Sequence, residues 1–207
     1  MIKKLYSNEW LFFKNTILPI FLTLLFISTS LVILSYSYST HHPDKTKNRI
    51  YNLKKNPEKS GFLDSNKFKT FRKIFLDNLI VSFETILIGF IPFLFLSVLS
   101  VLFLSLQIGL VLAGNNLFAK IDQFSFLVSI FLHGIFEVPA IIYASSIGIY
   151  LTLQTSKMVL PSYRSKAVQF KILFKNVCWS FALVIFPLLT IAAFIEVFIT
   201  PLLQVTP

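Results

Sequence analysis

The sequence predicts an all-α fold: a polytopic transmembrane helix bundle of about five spans, forming a single membrane domain over residues 1–207. Three observations predict it. Of 207 residues, 55% are hydrophobic and only 14% are charged, whereas a soluble domain carries about 25% charged residues. The apolar residues are gathered into four long blocks, Leu11–Tyr36, Leu79–Gly114, Phe124–Leu153 and Val177–Leu203, and about 20 helical residues cross a hydrocarbon core of about 30 Å. The blocks are also continuous, without the in/out alternation of barrel strands. The expected location is the cell membrane, with several passes.

The first span is expected at 11–36. Lys3 and Lys4 precede it, as they would in a signal peptide. Its apolar stretch is longer than a signal core and no clear small-residue cleavage site follows, so an uncleaved anchor is the favoured reading. Next comes a basic loop, 37–72. Ten of the 19 Lys and Arg lie between Lys45 and Lys73, and Lys157, Arg164, Lys166, Lys171 and Lys175 form a second group. Anionic lipid attracts such segments by about 1 kcal/mol per residue, so membrane lipid is the expected partner of both. Neither group carries a recognition motif or a domain-sized scaffold, which argues against nucleic acid. Pro43, Pro57 and Gly61 interrupt residues 41–70, and helical periodicity is weak before Phe68. That region predicts a small cap or mobile loop, too short to bury a core of its own. His41 and His42 could hold a metal at the membrane surface, but ordinary loop residues are the simpler reading.

The block from 79 to 114 is 36 residues long, too long for one span. Pro92 in its middle could mark a turn between spans at 73–92 and 94–114. The remaining spans are expected at 124–152 and 177–201. Five spans place eight Lys and Arg on the face of the N-terminus and the 154–176 loop, and eleven on the opposite face. That asymmetry is too small for the positive-inside rule to decide orientation. A four-span alternative, with 71–91 lying along the surface, satisfies the rule better but strands apolar surface. Cys178 is the one cysteine, so no internal disulfide can form and a zinc–thiolate site is not expected.

The most informative stretch is Leu132–Gly148, which sets His133, Glu137 and Pro139 inside an apolar run. A charged residue at the centre of a span costs roughly 2.5–3.5 kcal/mol on insertion scales, so such groups are expected to face protein, water or a ligand. His133 and Glu137 are four apart and share a helix face. Pro139 has no N–H, which leaves the carbonyl of Ile135 without its helical partner and favours a kink. Gly134 would let a backbone or ligand approach closely. Ala140, Ala144 and Gly148 repeat every four residues as a small-residue stripe, and Ser97, Ser105, Gly109 and Ala113 form a second; both are expected to pack helices.

Counted from the helix ends that face the 37–72 loop, Glu84 is about ten residues deep, His133 about nine, Gln107 about seven and Glu196 about five to seven, at 1.5 Å per residue. These groups come from four helices and would share one layer, with Glu137 a turn deeper. They are expected to converge in a buried polar pocket open toward the 37–72 side. Such a pocket could be a structural plug, although membrane hydrogen bonds average only about 0.6 kcal/mol. It could instead be a conduit or binding site for a proton, an ion or a small amphiphile, for which histidine is suited by its near-neutral pKa. One histidine and two glutamates could also ligate zinc in a hydrolase. No HExxH is present, nor a GxSxG with a triad, so the expectation is a non-enzymatic protein with no cofactor, its metal binding open.

The residues carry a family resemblance. HGIFEVPAIIYASSIG at 133–148 resembles the His-Gly-x-x-Glu-x-Pro-Ala stretch and small-residue helix of SpoIIM-like membrane proteins, the stage II sporulation protein M family, formerly DUF95. AAFIEVFITPL at 192–202 looks like that family's closing helix. Phe71–Gly89 is similar to its second span, with Asn78 opening and Gly89 closing it, which adds Asn78 to the polar set. The chain departs at Ser105–Gly109, where the family often has Asn-Gly and this sequence has Gln107 with Gly109. The resemblance implies the fold and topology, and an integral component of a bacterial envelope complex. Its implied partners are other membrane or envelope proteins, cell-wall-remodelling proteins among them; an ABC-type ATPase and a second copy of the chain are further candidate partners. Some relatives lie in bacteriocin clusters, so the resemblance also admits an export or immunity subunit; the His133, Glu137, Glu84 and Glu196 layer makes a small transporter or channel the competing class.

Overall fold

The computed structural model describes residues 2–55, 66–118, 123–166 and 168–203, which are helical almost throughout and contain no strand. The helices are α1 (Ile2–Phe12), α2 (Leu18–His41), α3 (Pro43–Lys55), α4 (Lys67–Ile88), α5 (Val98–Phe118), α6 (Gln123–Val159), α7 (Phe170–Ser180), α8 (Phe186–Phe194) and α9 (Thr200–Leu203). Single π-helical turns at Phe13–Ile17, Phe181–Ile185 and Ile195–Ile199 join α1 to α2, α7 to α8 and α8 to α9. The stretches Lys3–His41, Val98–Phe118, Phe126–Val159 and Phe170–Leu202 are each long and apolar enough to cross a membrane.

Each π turn has a proline beside it. Pro19, Pro187 and Pro201 stand two residues after the three turns. Proline lacks the N–H that an α-helix would donate four residues back, and its ring crowds that carbonyl. The residue before each proline donates one step wider: Leu18 to Phe13, Phe186 to Phe181, and Thr200 to Ile195. Such widened turns re-aim the side chains they carry. Pro139 differs, because α6 continues through it.

The expected span at 73–92 is the exception among the five. Its helix, α4, begins earlier, at Lys67, where the Asn66 side chain caps it by accepting from the backbone N–H of Phe68 and Lys69 at 3.0 and 3.3 Å. Lys67, Lys69, Arg72, Lys73, Asp77 and Glu84 leave α4 too polar to count with the four apolar stretches. It does not lie across the bundle. Asn78 bonds Glu137 of α6, and eleven residues further along each helix Gly89 lies against Gly148, whose Cα would be 2.6 Å from a Cβ added at Gly89. Two contacts in one register make α4 and α6 parallel neighbours. The reversal into α5 is longer than a turn at Pro92 alone. It occupies Gly89–Ser97 and includes Phe93 in the left-handed region at φ 66°, held by its N–H donating to Ser156 Oγ at 2.8 Å.

The other correction is the basic loop. Residues 43–55 form α3, not an irregular cap. The Thr46 hydroxyl donates to the Ser39 carbonyl at 2.8 Å, turning α3 back over the end of α5, where Ile50 rests on Gly114. Residues 56–65, the rest of that expected loop, lie outside the described residues.

α6 is the centre of the bundle. Residues 140–148 are buried without interruption, and Tyr143, Ala144, Ile147 and Leu151 meet Ile17, Ile86, Leu173, Val177, Ile185 and Leu189 in the core. Both small-residue stripes are buried, against different neighbours. Gly148 receives Ser97 and the Thr85 carbonyl, while Gly109 receives Val32 and Ser35 of α2. Across the α2–α5 seam the Ser28 and Ser105 hydroxyls meet at 2.8 Å, and Ser35 donates to the Leu106 carbonyl at 2.8 Å. Gly134 makes no such close approach among the described residues: a Cβ added there meets no atom beyond its own helix backbone within 4 Å. It lies a hundred degrees around α6 from His133, where no neighbour reaches it.

Candidate functional site

A cavity of about 680 Å³ lies between α4, α5, α6 and the π turn that carries Glu196. Each helix contributes one stripe at helical spacing. From α4 come Lys67, Thr70, Lys73, Ile74, Asp77 and Asn78; from α5, Leu104, Gln107, Ile108 and Val111; from α6, Ile130, His133 and Glu137. Glu196, Val197 and Pro201 close the fourth side. Lys67 and Thr70 start α4 and Pro201 is near the end of the last helix, so the mouth is on the face where α2 ends and α3 sits.

The chemistry gathers on one wall. His133 and Glu137 are one turn apart on α6, and the widened turn Ile195–Ile199 aims Glu196 at them. Ligand atoms of these three side chains lie within 4.8 Å of one another. Asn78 hydrogen-bonds the Glu137 carboxyl group. The His133 ring lies near the Ser129 carbonyl, yet its Nδ1 is buried without a well-formed hydrogen bond. Two ionised carboxylates within 4.8 Å of each other repel by at least about 3.5 kcal/mol at an effective dielectric constant of about 20. A proton or a cation held between them removes that repulsion.

His133, Glu137, Glu196, Gln107 and Asn78 therefore stand around one cavity, and Glu84 does not. Glu84 is exposed. It lies seven residues beyond Asp77, at nearly the same angle around α4 but about 10.5 Å further along its axis. Asp77 is itself at the exposed edge of the α4 stripe, and Glu84 continues that edge, while Thr85 continues the buried line of Asn78. Depth alone did not carry the angle.

His41 and His42 are not near the cavity. Their Nδ1 atoms donate to the Ser37 and Tyr38 carbonyls at 2.7 and 3.0 Å, and the His42 ring stacks on Tyr38. They finish α2. Among the described residues, His133, Glu137 and Glu196 are the one His/Cys/Asp/Glu group close enough to share an ion.

A family model described as stage II sporulation protein M matches residues 20–201, a stretch that holds every helix around the cavity. The chain belongs to the SpoIIM family. Neither a curated protein nor a solved structure matches it. Family membership and the four apolar stretches together make this SpoIIM-family chain a membrane protein.

Two features of this SpoIIM-family structure escaped the sequence reading. Lys67, Thr70, Lys73 and Asp77 stand at the cavity mouth, on a helix that begins inside the expected loop; the Asn66 cap was the available signal. A second buried polar cluster links three helices. Tyr143 and Ser180 donate to Oε1 of Glu9 at 2.5 and 2.6 Å, and Glu9 is only 6% exposed. The signal there was a lone acid in α1, just before the first apolar block.

Proposed function

We propose that this SpoIIM-family protein is a non-enzymatic, multi-pass component of a cell-membrane complex that binds a small cationic ligand in the cavity between α4, α5 and α6. The observation that carries the reading is the convergence of His133, Glu137 and Glu196 in a cavity with an open mouth. A structural plug would fill its own space and satisfy its own polar groups, because an unmade buried hydrogen bond costs about 1–3 kcal/mol. Here about 680 Å³ stands beside an imidazole nitrogen whose contact with the Ser129 carbonyl is not a well-formed hydrogen bond. The polar groups are acidic at depth, with apolar walls from α5, which suits a compact cation. The lining offers ligand groups and hydrogen-bond formers, not a nucleophile held by an oriented base, and this supports binding over catalysis. The wider complex is the part of the reading that rests on the family.

Access to the cavity tests it. In a Cys178→Ser background, Gln107→Cys places one thiol on the cavity wall without touching the histidine or the glutamates. A membrane-impermeant methanethiosulfonate bearing a quaternary ammonium group is expected to label it only when added on the α3 face. Labelling only after unfolding would show a sealed plug and overturn the reading.

A further inference from the structure

We propose that His133, Glu137 and Glu196 are a binding site for a divalent first-row transition cation of the Zn²⁺ class. The inference rests on the reading that the cavity is an accessible binding site, and it names the ligand class. One imidazole nitrogen and two carboxylate oxygens form a borderline donor set. Imidazole favours zinc and its neighbours over magnesium or calcium, which prefer oxygen alone. Zinc takes bonds of about 2.1 Å to nitrogen and oxygen in tetrahedral sites, which separates its donors by about 3.4 Å. The three donors already lie within 4.8 Å, so rotation of side chains, without movement of helices, brings them to that spacing.

Three further observations point to a cation. A double positive charge compensates both carboxylates at once, which one proton does not. Asn78 holds the Glu137 carboxyl group, the kind of outer hydrogen bond that orients a metal ligand. The Nδ1 of His133 is buried beside the Ser129 carbonyl without a well-formed hydrogen bond, and buried polar atoms in folded proteins nearly always have a full partner. Three protein donors leave the fourth position of a tetrahedral ion facing the cavity, for water or a further ligand. The donors come from α6 and from the π turn before Pro201, so the site also ties the last helix to the centre of the bundle.

The test uses the full chain, purified without a histidine tag, in lipid nanodiscs. After removal of metal with a chelator, Zn²⁺ is titrated against a competing fluorescent chelator, and bound metal is counted by mass spectrometry. One Zn²⁺ per chain is expected. His133→Ala and Glu196→Gln are each expected to weaken binding by at least tenfold, while the His41→Ala/His42→Ala double variant binds as the wild type does. A rise in the wild-type melting temperature with Zn²⁺, absent in Glu196→Gln, is the second readout and needs no folded His133→Ala. No stoichiometric Zn²⁺ in the wild type, or binding kept by both cavity variants and lost with His41 and His42, overturns the proposal. Failure of the metal alone is distinguishable: Gln107→Cys then still labels from the α3 face, whereas a sealed cavity defeats both readings.

Discussion

At the scale of single residues, the chain keeps two acidic clusters inside an apolar bundle, and their environments differ. Glu137 and Glu196 face open volume with the His133 imidazole beside them, whereas Glu9 is closed in by two hydroxyl donors on one oxygen. The Glu9 cluster therefore reads as structural, and Tyr143→Phe should show it. Membrane hydrogen bonds average about 0.6 kcal/mol and bonds to charged groups reach about 1.5–3. Since Ser180 remains, Tyr143→Phe is expected to lower unfolding stability by about 1–2 kcal/mol. The Tyr143→Phe/Ser180→Ala double variant should lose more than the sum of the single changes, because it strips the carboxyl group bare; detergent-titrated unfolding measures both. Additive losses would show that the two hydroxyls act independently. The pairing of His133 with Glu137 was legible in the sequence, since residues four apart share a helix face. Their nearness to Glu196 was legible only as a matching depth. The same counting misplaced Glu84, because depth fixes one coordinate of a helical residue and the angle around the axis fixes another. Glu9 was not legible at all: its partners are 134 and 171 residues away.

At the scale of elements, backbone proximity separates the glycines that hold helices together from those that do not. The stripe 140/144/148 was legible from its spacing, but its partner was not, because a small residue marks close approach without naming what approaches. At Gly148, an added Cβ would meet Ser97 Cβ at 2.6 Å and the Thr85 carbonyl oxygen at 2.8 Å. The backbone contact cannot yield without separating α4 from α6, so Gly148→Ala is expected to destabilise by about 2 kcal/mol or more, in the range of overpacked cores. Gly134 is the built-in control. Nothing lies within 4 Å of its added Cβ, and alanine is favoured over glycine in a helix by about 0.8–1.0 kcal/mol, so Gly134→Ala should leave stability unchanged or raise it. Thermal unfolding of both variants in one detergent decides; a loss at Gly134 equal to that at Gly148 would sink the assignment. The π turns belong to this scale too. Only Pro139 was read in the sequence as a possible kink, yet Pro19, Pro187 and Pro201 stand beside widened turns while α6 runs on through Pro139. A missing N–H permits either outcome, and neighbouring helices select one.

At the scale of the whole molecule, the all-α bundle and its membrane character were legible because hydrophobicity in long continuous blocks has few other solutions. The path of α4 was not, because its composition sits between a span and a surface helix. If 71–91 lay along the surface, the loops on either side of it would stay on one side, and the 43–55 and 161–166 segments would share a face. In the structure α4 runs parallel to α6, with Asn78 opposite Glu137 and Gly89 against Gly148. That path carries the chain from the α3 end of the bundle to the other end before α5 returns. It also sets the cavity: only a parallel α4 can bring Asn78 to Glu137 and Lys67 to the mouth. Two single-cysteine variants in a Cys178→Ser background separate the topologies, Lys47→Cys on α3 and Ser162→Cys in the 161–166 turn, both at exposed positions. An impermeant maleimide applied to sealed vesicles of one orientation is expected to label one of them, and to label the other only after the membrane is opened. Equal labelling of both from one side would place α4 on the surface, and with it would go the wall that Asn78 and Asp77 supply to the cavity.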